Sequence, residues 1–227
     1  MTHYAIIVAG GSGSRMQSDV AKQFLRIGGK PILQHTIDRF RQTDPALQLL
    51  LVLPERDLTT WAGLCHELNF YPSHLQTVVG GASRFASVRN GLAAIPTDVT
   101  DALVAVHDGV RPFVSADIIR NGFATAARTG SAVACVASND SARLLDADGQ
   151  SQALDRSRLR LVQTPQTFRL DWFRRAFETD EQPFFTDCAS VLEYAGFPIT
   201  LIDGSYENIK LTTPDDLRWA DLRLANA

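Results

Sequence analysis

The chain has 227 residues, 45% of them hydrophobic, with 22 Lys and Arg against 25 Asp and Glu for a formal net charge of −3. That profile has room for one α/β domain spanning 1–227 with a sizeable core, and it argues against nucleic acid as a bulk partner, so any cationic cluster is a local site. Cys65, Cys135 and Cys188 are odd in number, widely spaced and without a C-x-x-C, which suits reduced thiols better than a disulfide or zinc. No apolar run is long enough to cross a membrane and the N-terminus runs straight into a strand, so a cytoplasmic protein is expected.

The first predicted element is the apolar run Ala5–Ala9, short and β-branched like a buried parallel strand. It breaks into Gly10-Gly11-Ser12-Gly13-Ser14. Three glycines in four positions remove the Cβ atoms that would keep a ligand off the backbone, and successive amides in such a loop point at one anion. Arg15 and Lys22 follow, two cations beside bare amides, which suits a nucleoside triphosphate. A P-loop is excluded because no Lys-Ser or Lys-Thr follows the glycines. The dinucleotide fingerprint fails because, counted from Gly11, its third glycine position is Met16, and no acid stands ~20 residues on to hold a ribose.

Pro31 opens a helix with Ile32, Leu33, Thr36, Ile37 and Phe40 at helical spacing. Leu47–Leu53 reads as a strand, 55–69 as a weaker helix and Leu75–Val79 as a third strand. Gly80-Gly81-Ala82-Ser83-Arg84 then enters a helix, and its free amides with the Ser87 hydroxyl suit a base edge or a ribose as well as they suit a plain cap. Ala102–Val106 is a strand ending in His107-Asp108-Gly109-Val110-Arg111-Pro112. An acid at the carboxyl end of such a strand lies where open α/β sheets bind ligands, although it also caps turns. A helix from Ser115 to Arg128 closed by Gly130, and a strand over 131–136, follow. Residues 138–166 break the alternation. They are polar and centred on Asp148-Gly149, so a hairpin is expected that cannot bury itself and must reach a partner subunit. Helices are predicted over 170–178 and 187–194, with Thr186 as N-cap, then a strand over 199–202 and a last helix from Pro214 capped by Thr213. The alternation as a whole predicts a mostly parallel sheet covered on both faces.

The pattern G-G-x-G-x-R-M, then K-Q-F-L and G-G-K-P-I-L, resembles the sugar-nucleotide pyrophosphorylase superfamily, with Ala21 where that superfamily usually has Pro before the lysine. More narrowly the chain resembles the 2-C-methyl-D-erythritol 4-phosphate cytidylyltransferases and their relatives that act on ribitol 5-phosphate. GG-x-x-R-x-x-S-V, H-D-x-x-R-P, D-R, T-P-Q, T-D and N-I-K-L-T all occur in the family's order.

The resemblance implies a Rossmann-like three-layer sandwich whose β-arm forms a homodimer. It implies transfer of CMP from CTP to a polyol phosphate, with Mg²⁺ held mainly through the CTP phosphates and Asp108 as the one protein metal ligand considered. The implied CTP residues are Ala9, Gly10, Gly11, Gly13, Arg15, Lys22, Gly81, Ala82, Ser87, Asp108 and Gly109; the family often has Asp where Ala82 stands. The implied acceptor residues are Asp108, Arg111, Ser141 (in place of the family's threonine), Arg156, Thr164, Thr186 and Lys210. Arg15, Lys22, Arg156 and Lys210 carry the catalysis in this reading, with Arg156 reaching across from the partner chain. The ENIKLT stretch and the arm favour methylerythritol phosphate over ribitol 5-phosphate. A nicotinamide-dependent oxidoreductase is disfavoured by the missing third glycine. A non-catalytic nucleotide-binding regulator has no use for Arg156 and Lys210 beside Arg15 and Lys22.

Overall fold

The computed structural model describes residues 1–11 and 20–226. Gly13 and Arg15 therefore lie outside the described residues. The chain opens with β1 (Thr2–Val8), makes a small hairpin of β2 (Arg26–Ile27) and β3 (Lys30–Pro31), and enters α1 (Ile32–Thr43). Then come β4 (Gln48–Leu53), α2 (Glu55–Glu67), β5 (Leu75–Val79), α3 (Arg84–Ala93), β6 (Ala102–Asp108), α4 (Ala116–Thr129) and β7 (Ser131–Ala137). The last third holds β8 (Arg143–Leu145), β9 (Ser151–Ala153), β10 (Arg160–Arg169), α5 (Leu170–Ala176), α6 (Cys188–Tyr194), β11 (Leu201–Asp203) and α7 (Pro214–Ala225).

Seven strands form one mixed sheet in the order β11-β7-β10-β6-β1-β4-β5. All pairings are parallel except those of β10, which runs antiparallel to both β6 and β7. The parallel strands β1, β4 and β6 are mainly apolar because each face of the sheet is covered. Along β1, Ala5 and Ile7 join Leu33, Ile37 and Phe40 of α1 and Ile119 and Phe123 of α4. Tyr4 and Ile6, one position out of phase, join Val88 and Leu92 of α3 and Phe173 of α5. The result is helices on both sides of a mostly parallel sheet, as expected.

Local chemistry sets the ends of the helices. Ser115 Oγ accepts from the Ile118 amide, and Gly130 closes α4 in the left-handed region at φ 90°. Thr213 and Asp216 form a reciprocal capping box on α7, with Pro214 at its first position.

Two expectations need correction. Asp187, not Thr186, caps α6, taking the Ser190 amide on its carboxylate while Ser190 returns its hydroxyl to the Asp187 backbone. The stretch 138–166 is also not all hairpin. The free hairpin is β8 with β9, whereas 160–169 is a full strand of the main sheet whose residues Gln163–Phe168 are buried. Its polar run Q-T-P-Q-T hides that role in sequence, because a buried strand is normally recognised by apolar residues. The register shifts between Val162 and Gln166, which accommodates Pro165 where a regular ladder would lack its N–H.

Candidate active site

The carboxyl ends of β1, β4, β5 and β6 point the same way, so the turns that follow them meet at one edge of the sheet. The chain steps from β1 to β4 and β5 on one side and returns to β6 on the other, which opens a crevice beside β1. Each turn leaves its strand by continuing the ladder. The Ala9 amide donates to Val52 O at 3.0 Å, Gly80 to Leu53 O at 2.8 Å and Gly109 to Val8 O at 2.8 Å.

A cleft of about 230 Å³ lies there. It brings together Ala9, Gly10, Gly11, Lys22, Gly81, Ala82, Ser87, Asp108 and Lys210, with Gln23, Ser83 and Arg84 completing the wall. Lys22 begins a short 3-10 turn, and its side chain lies against Gly11. A Cβ added to Gly11 would come within 3.3 Å of Lys22 Nζ. The next residue, Gln23, is buried and donates to Asp57 Oδ2 at 2.8 Å, and Phe24 stacks on Trp61. The lysine is thus fixed at its base and directed at the glycine turn.

Across the cleft, α3 presents its first turn. Ser83 caps it by accepting the Ala86 amide at 3.0 Å. Ser87 Oγ accepts the Gly81 amide at 3.1 Å, closing the Gly80-Gly81 turn onto the helix. A Cβ on Gly81 would collide with the Ala86 methyl, so glycine is required for that closeness. Gly109 is similarly constrained, with room for no more than hydrogen beside Ala9, whose Cβ would be 2.7 Å from an added Cβ.

Asp108 organises the charge. Lys210 Nζ lies 3.1 Å and Arg111 Nε 3.3 Å from Oδ2, and Arg84 Nε lies 3.9 Å from Oδ1. Burial alone would raise this carboxyl, but Lys210, Arg84 and Arg111 outweigh it and hold Asp108 well below the usual carboxylate range. One carboxylate amid three cations leaves the cleft with surplus positive charge, an arrangement suited to an anion. Its neighbour His107 is fully enclosed, donates from Nε2 to Arg111 O at 3.1 Å, and is pushed down to about 4 by burial.

Thr164 and Arg111 stand behind this cluster. Thr164 Oγ1 accepts the Asp108 amide at 3.0 Å, and Arg111 donates to Asn208 O at 2.7 Å. Ser141, Arg156 and Thr186 are exposed and outside the cleft wall. Arg156 donates to Asn139 O at 2.7 Å, within its own arm. Sequence reasoning did not assign a site role to Arg84, Gln23, Asn208 or Gln166, although all four stand inside motifs it used. Gln166 spans β10 and α6, accepting the Cys188 and Ala189 amides and donating to Asp187.

Among the described residues, no group of three His, Cys, Asp or Glu is placed to hold a metal. Among the described residues of the cleft wall Asp108 is the one carboxylate, and it already faces cations on both oxygens. The described donors alone therefore do not make a protein-built magnesium site.

The model of the family described as IspD, 2-C-methyl-D-erythritol 4-phosphate cytidylyltransferase, matches residues 3–226. A relative of that name from Porphyromonas gingivalis is 49% identical over 224 residues, covering 98% of each chain. Another, from Bacteroides thetaiotaomicron, is 45% identical over 218 residues, covering 96% of this chain and 97% of the relative. The 4-diphosphocytidyl-2C-methyl-D-erythritol synthase of Anaerococcus prevotii superposes with a TM-score of 0.84 at 25% identity, covering 99% of this chain and 98% of that one. With a glycine turn under a fixed lysine at one end of the cleft, a cluster of cations around Asp108 at the other and similarity along nearly the whole sequence, the chain belongs to the 2-C-methyl-D-erythritol 4-phosphate cytidylyltransferase family.

Proposed function

We propose that the protein transfers the cytidylyl group of CTP to 2-C-methyl-D-erythritol 4-phosphate, giving 4-diphosphocytidyl-2-C-methylerythritol and pyrophosphate on the non-mevalonate route to isoprenoid precursors. The observation that carries this is the pairing, within one cleft, of Lys22 over the Gly10-Gly11 turn with Lys210 beside Asp108. A phosphate oxygen of the acceptor attacks the α-phosphorus of CTP in line. The new P–O bond forms as the bond to the bridging oxygen of the β-phosphate breaks, and pyrophosphate leaves with that electron pair. No enzyme-bound covalent intermediate is needed.

The barrier is electrostatic, since a phosphate dianion must approach a polyphosphate. Catalysis is then positioning and charge neutralisation. Lys22, with Arg15 and the amides of Gly10, Gly11 and Gly13, neutralises the charge on the α-phosphate and the departing pyrophosphate; for Arg15 and Gly13 this rests on sequence alone. Ala9, Gly81, Ala82 and Ser87 serve the nucleoside end, supported by the close backbone approach that Gly81 allows. Lys210 holds the attacking phosphate. Asp108, Gly109, Arg111 and Thr164 shape that end, while Ser141 and Thr186 complete it together with Arg156, which reaches across on the arm of a second copy. Mg²⁺ arrives on the CTP phosphates as part of the substrate, and Asp108 is reserved for the cations rather than the metal. A homodimer built through the β8–β9 hairpin and a cytoplasmic setting belong to the same reading.

The test is pyrophosphate release with Mg²⁺ and CTP, offering methylerythritol phosphate and ribitol 5-phosphate in parallel. Release with the first alone is expected. Release only with ribitol 5-phosphate would overturn the acceptor and leave the transfer chemistry, and silence with both would overturn the enzyme assignment.

A further inference from the structure

We infer that Asn208 is a positioning residue for Lys210, holding the strap 204–211 so that the lysine ammonium stands at the acceptor end of the cleft. The inference rests on the assignment of Lys210 to the acceptor phosphate. Asn208 is fully buried, two residues before Lys210. Its Nδ2 donates to Thr164 O at 2.8 Å and to Gln163 Oε1 at 3.2 Å, tying the strap to β10. Its own carbonyl accepts Arg111 Nη1 at 2.7 Å, and Arg111 in turn touches Asp108.

One side chain and its carbonyl therefore connect Thr164, Arg111 and, through Asp108, the Lys210 ammonium. The strap is held on either side as well. Gly204 donates to Cys135 O and packs against Gln163, and Leu211 donates to Val110 O at 2.9 Å. Lys210 itself is exposed at the cleft, so nothing but this strap and Asp108 restrains its direction among the contacts described. An asparagine is needed because Thr164 O calls for a neutral donor in a space the size of an amide. Aspartate would place an acceptor against that carbonyl, and alanine would leave it buried and unmet. The Asn208 Oδ1 atom is buried without a partner, so the residue is kept for what its amide nitrogen and carbonyl do.

The experiment is steady-state kinetics of Asn208→Ala beside Lys210→Ala and the unaltered enzyme, varying CTP and methylerythritol phosphate separately, with thermal midpoints recorded. Asn208→Ala is expected to raise KM for the acceptor on the order of tenfold, as the loss of a buried donor implies, with KM for CTP unchanged. Lys210→Ala is expected to shift the same constant. If Asn208→Ala does not fold, Asn208→Ser, which keeps a shorter donor, is read the same way. A folded variant with both constants unchanged, or with both raised equally, overturns the inference. A Lys210→Ala enzyme with an unchanged acceptor KM overturns the underlying assignment instead, as does an unaltered enzyme that is silent.

Discussion

Lys22 illustrates how a single charge is aimed. The chain around it is anchored by the buried Gln23–Asp57 hydrogen bond and by Phe24 on Trp61, so little conformational freedom remains to be lost when the lysine meets a phosphate. Lys22→Ala should lower kcat by roughly 10²–10³ with a much smaller effect on CTP binding, the loss seen when one preorganised donor is removed; stopped assays of pyrophosphate with CTP held saturating check this. A second residue-scale prediction concerns His107. Its folded value near 4 lies below the ordinary 6.5 because burial disfavours the imidazolium. The unfolded chain therefore binds this proton first on acidification. The contribution is full above pH 6.5 and is lost as pH falls to about 4, amounting to about 3 kcal/mol. Urea midpoints between pH 4 and 7 should fall more steeply for the unaltered protein than for His107→Asn, and parallel curves would count against it. Asp108 acts in the same sense, in a more acidic window. Its depressed carboxyl contributes stability that is full above the ordinary carboxylate range and is lost as pH falls through that range into stronger acid, a loss common to the unaltered protein and His107→Asn, so the difference between their curves reads His107.

At the scale of elements, the glycine turns were legible because bare backbone is written directly in the residues. Gly10, Gly11 and Gly81 announce a close approach, and the packing of Gly81 on Ala86 explains why. Gly81→Ala should force the turn away from α3, costing about 1–3 kcal/mol of stability and raising KM for CTP more than for the acceptor; differential scanning and kinetics read the two effects. The caps of α4 and α7 were legible for the same reason, since Ser115, Gly130 and Thr213 use local chemistry. β10 was not legible as a sheet strand. Its buried Gln163, Thr164, Gln166 and Thr167 mimic a loop in sequence, and the partners Asn208, Asp187 and the α6 amides that hold the first three lie 21 to 45 residues away. Asn208 escaped notice in the same way, its role being set by distant contacts. Asp108 could be placed at the cleft from its strand end, but three converging cations are a tertiary fact.

Among the described residues, the β8–β9 hairpin stands apart from the seven-stranded sheet. On the hairpin, Leu144 and Leu145 are 57% and 66% exposed, and Leu161 and Val162 at the start of β10 are also exposed. A two-stranded hairpin with exposed leucines needs a partner surface to be stable. Sedimentation should therefore show a dimer, and Leu144→Asp with Leu145→Asp should yield monomers whose acceptor KM rises, because Arg156 would no longer be delivered; a monomeric unaltered protein would count against this. The position of β10 has a further consequence for biosynthesis. β6 and β7 are not neighbours, and the strand between them is made after both. While the ribosome is still translating the arm, β6 and β7 each carry an open hydrogen-bonding edge on the side that β10 will fill. The nascent chain is thus exposed to strand-mediated aggregation until residue 169 has left the exit tunnel, after which one insertion seals both edges together.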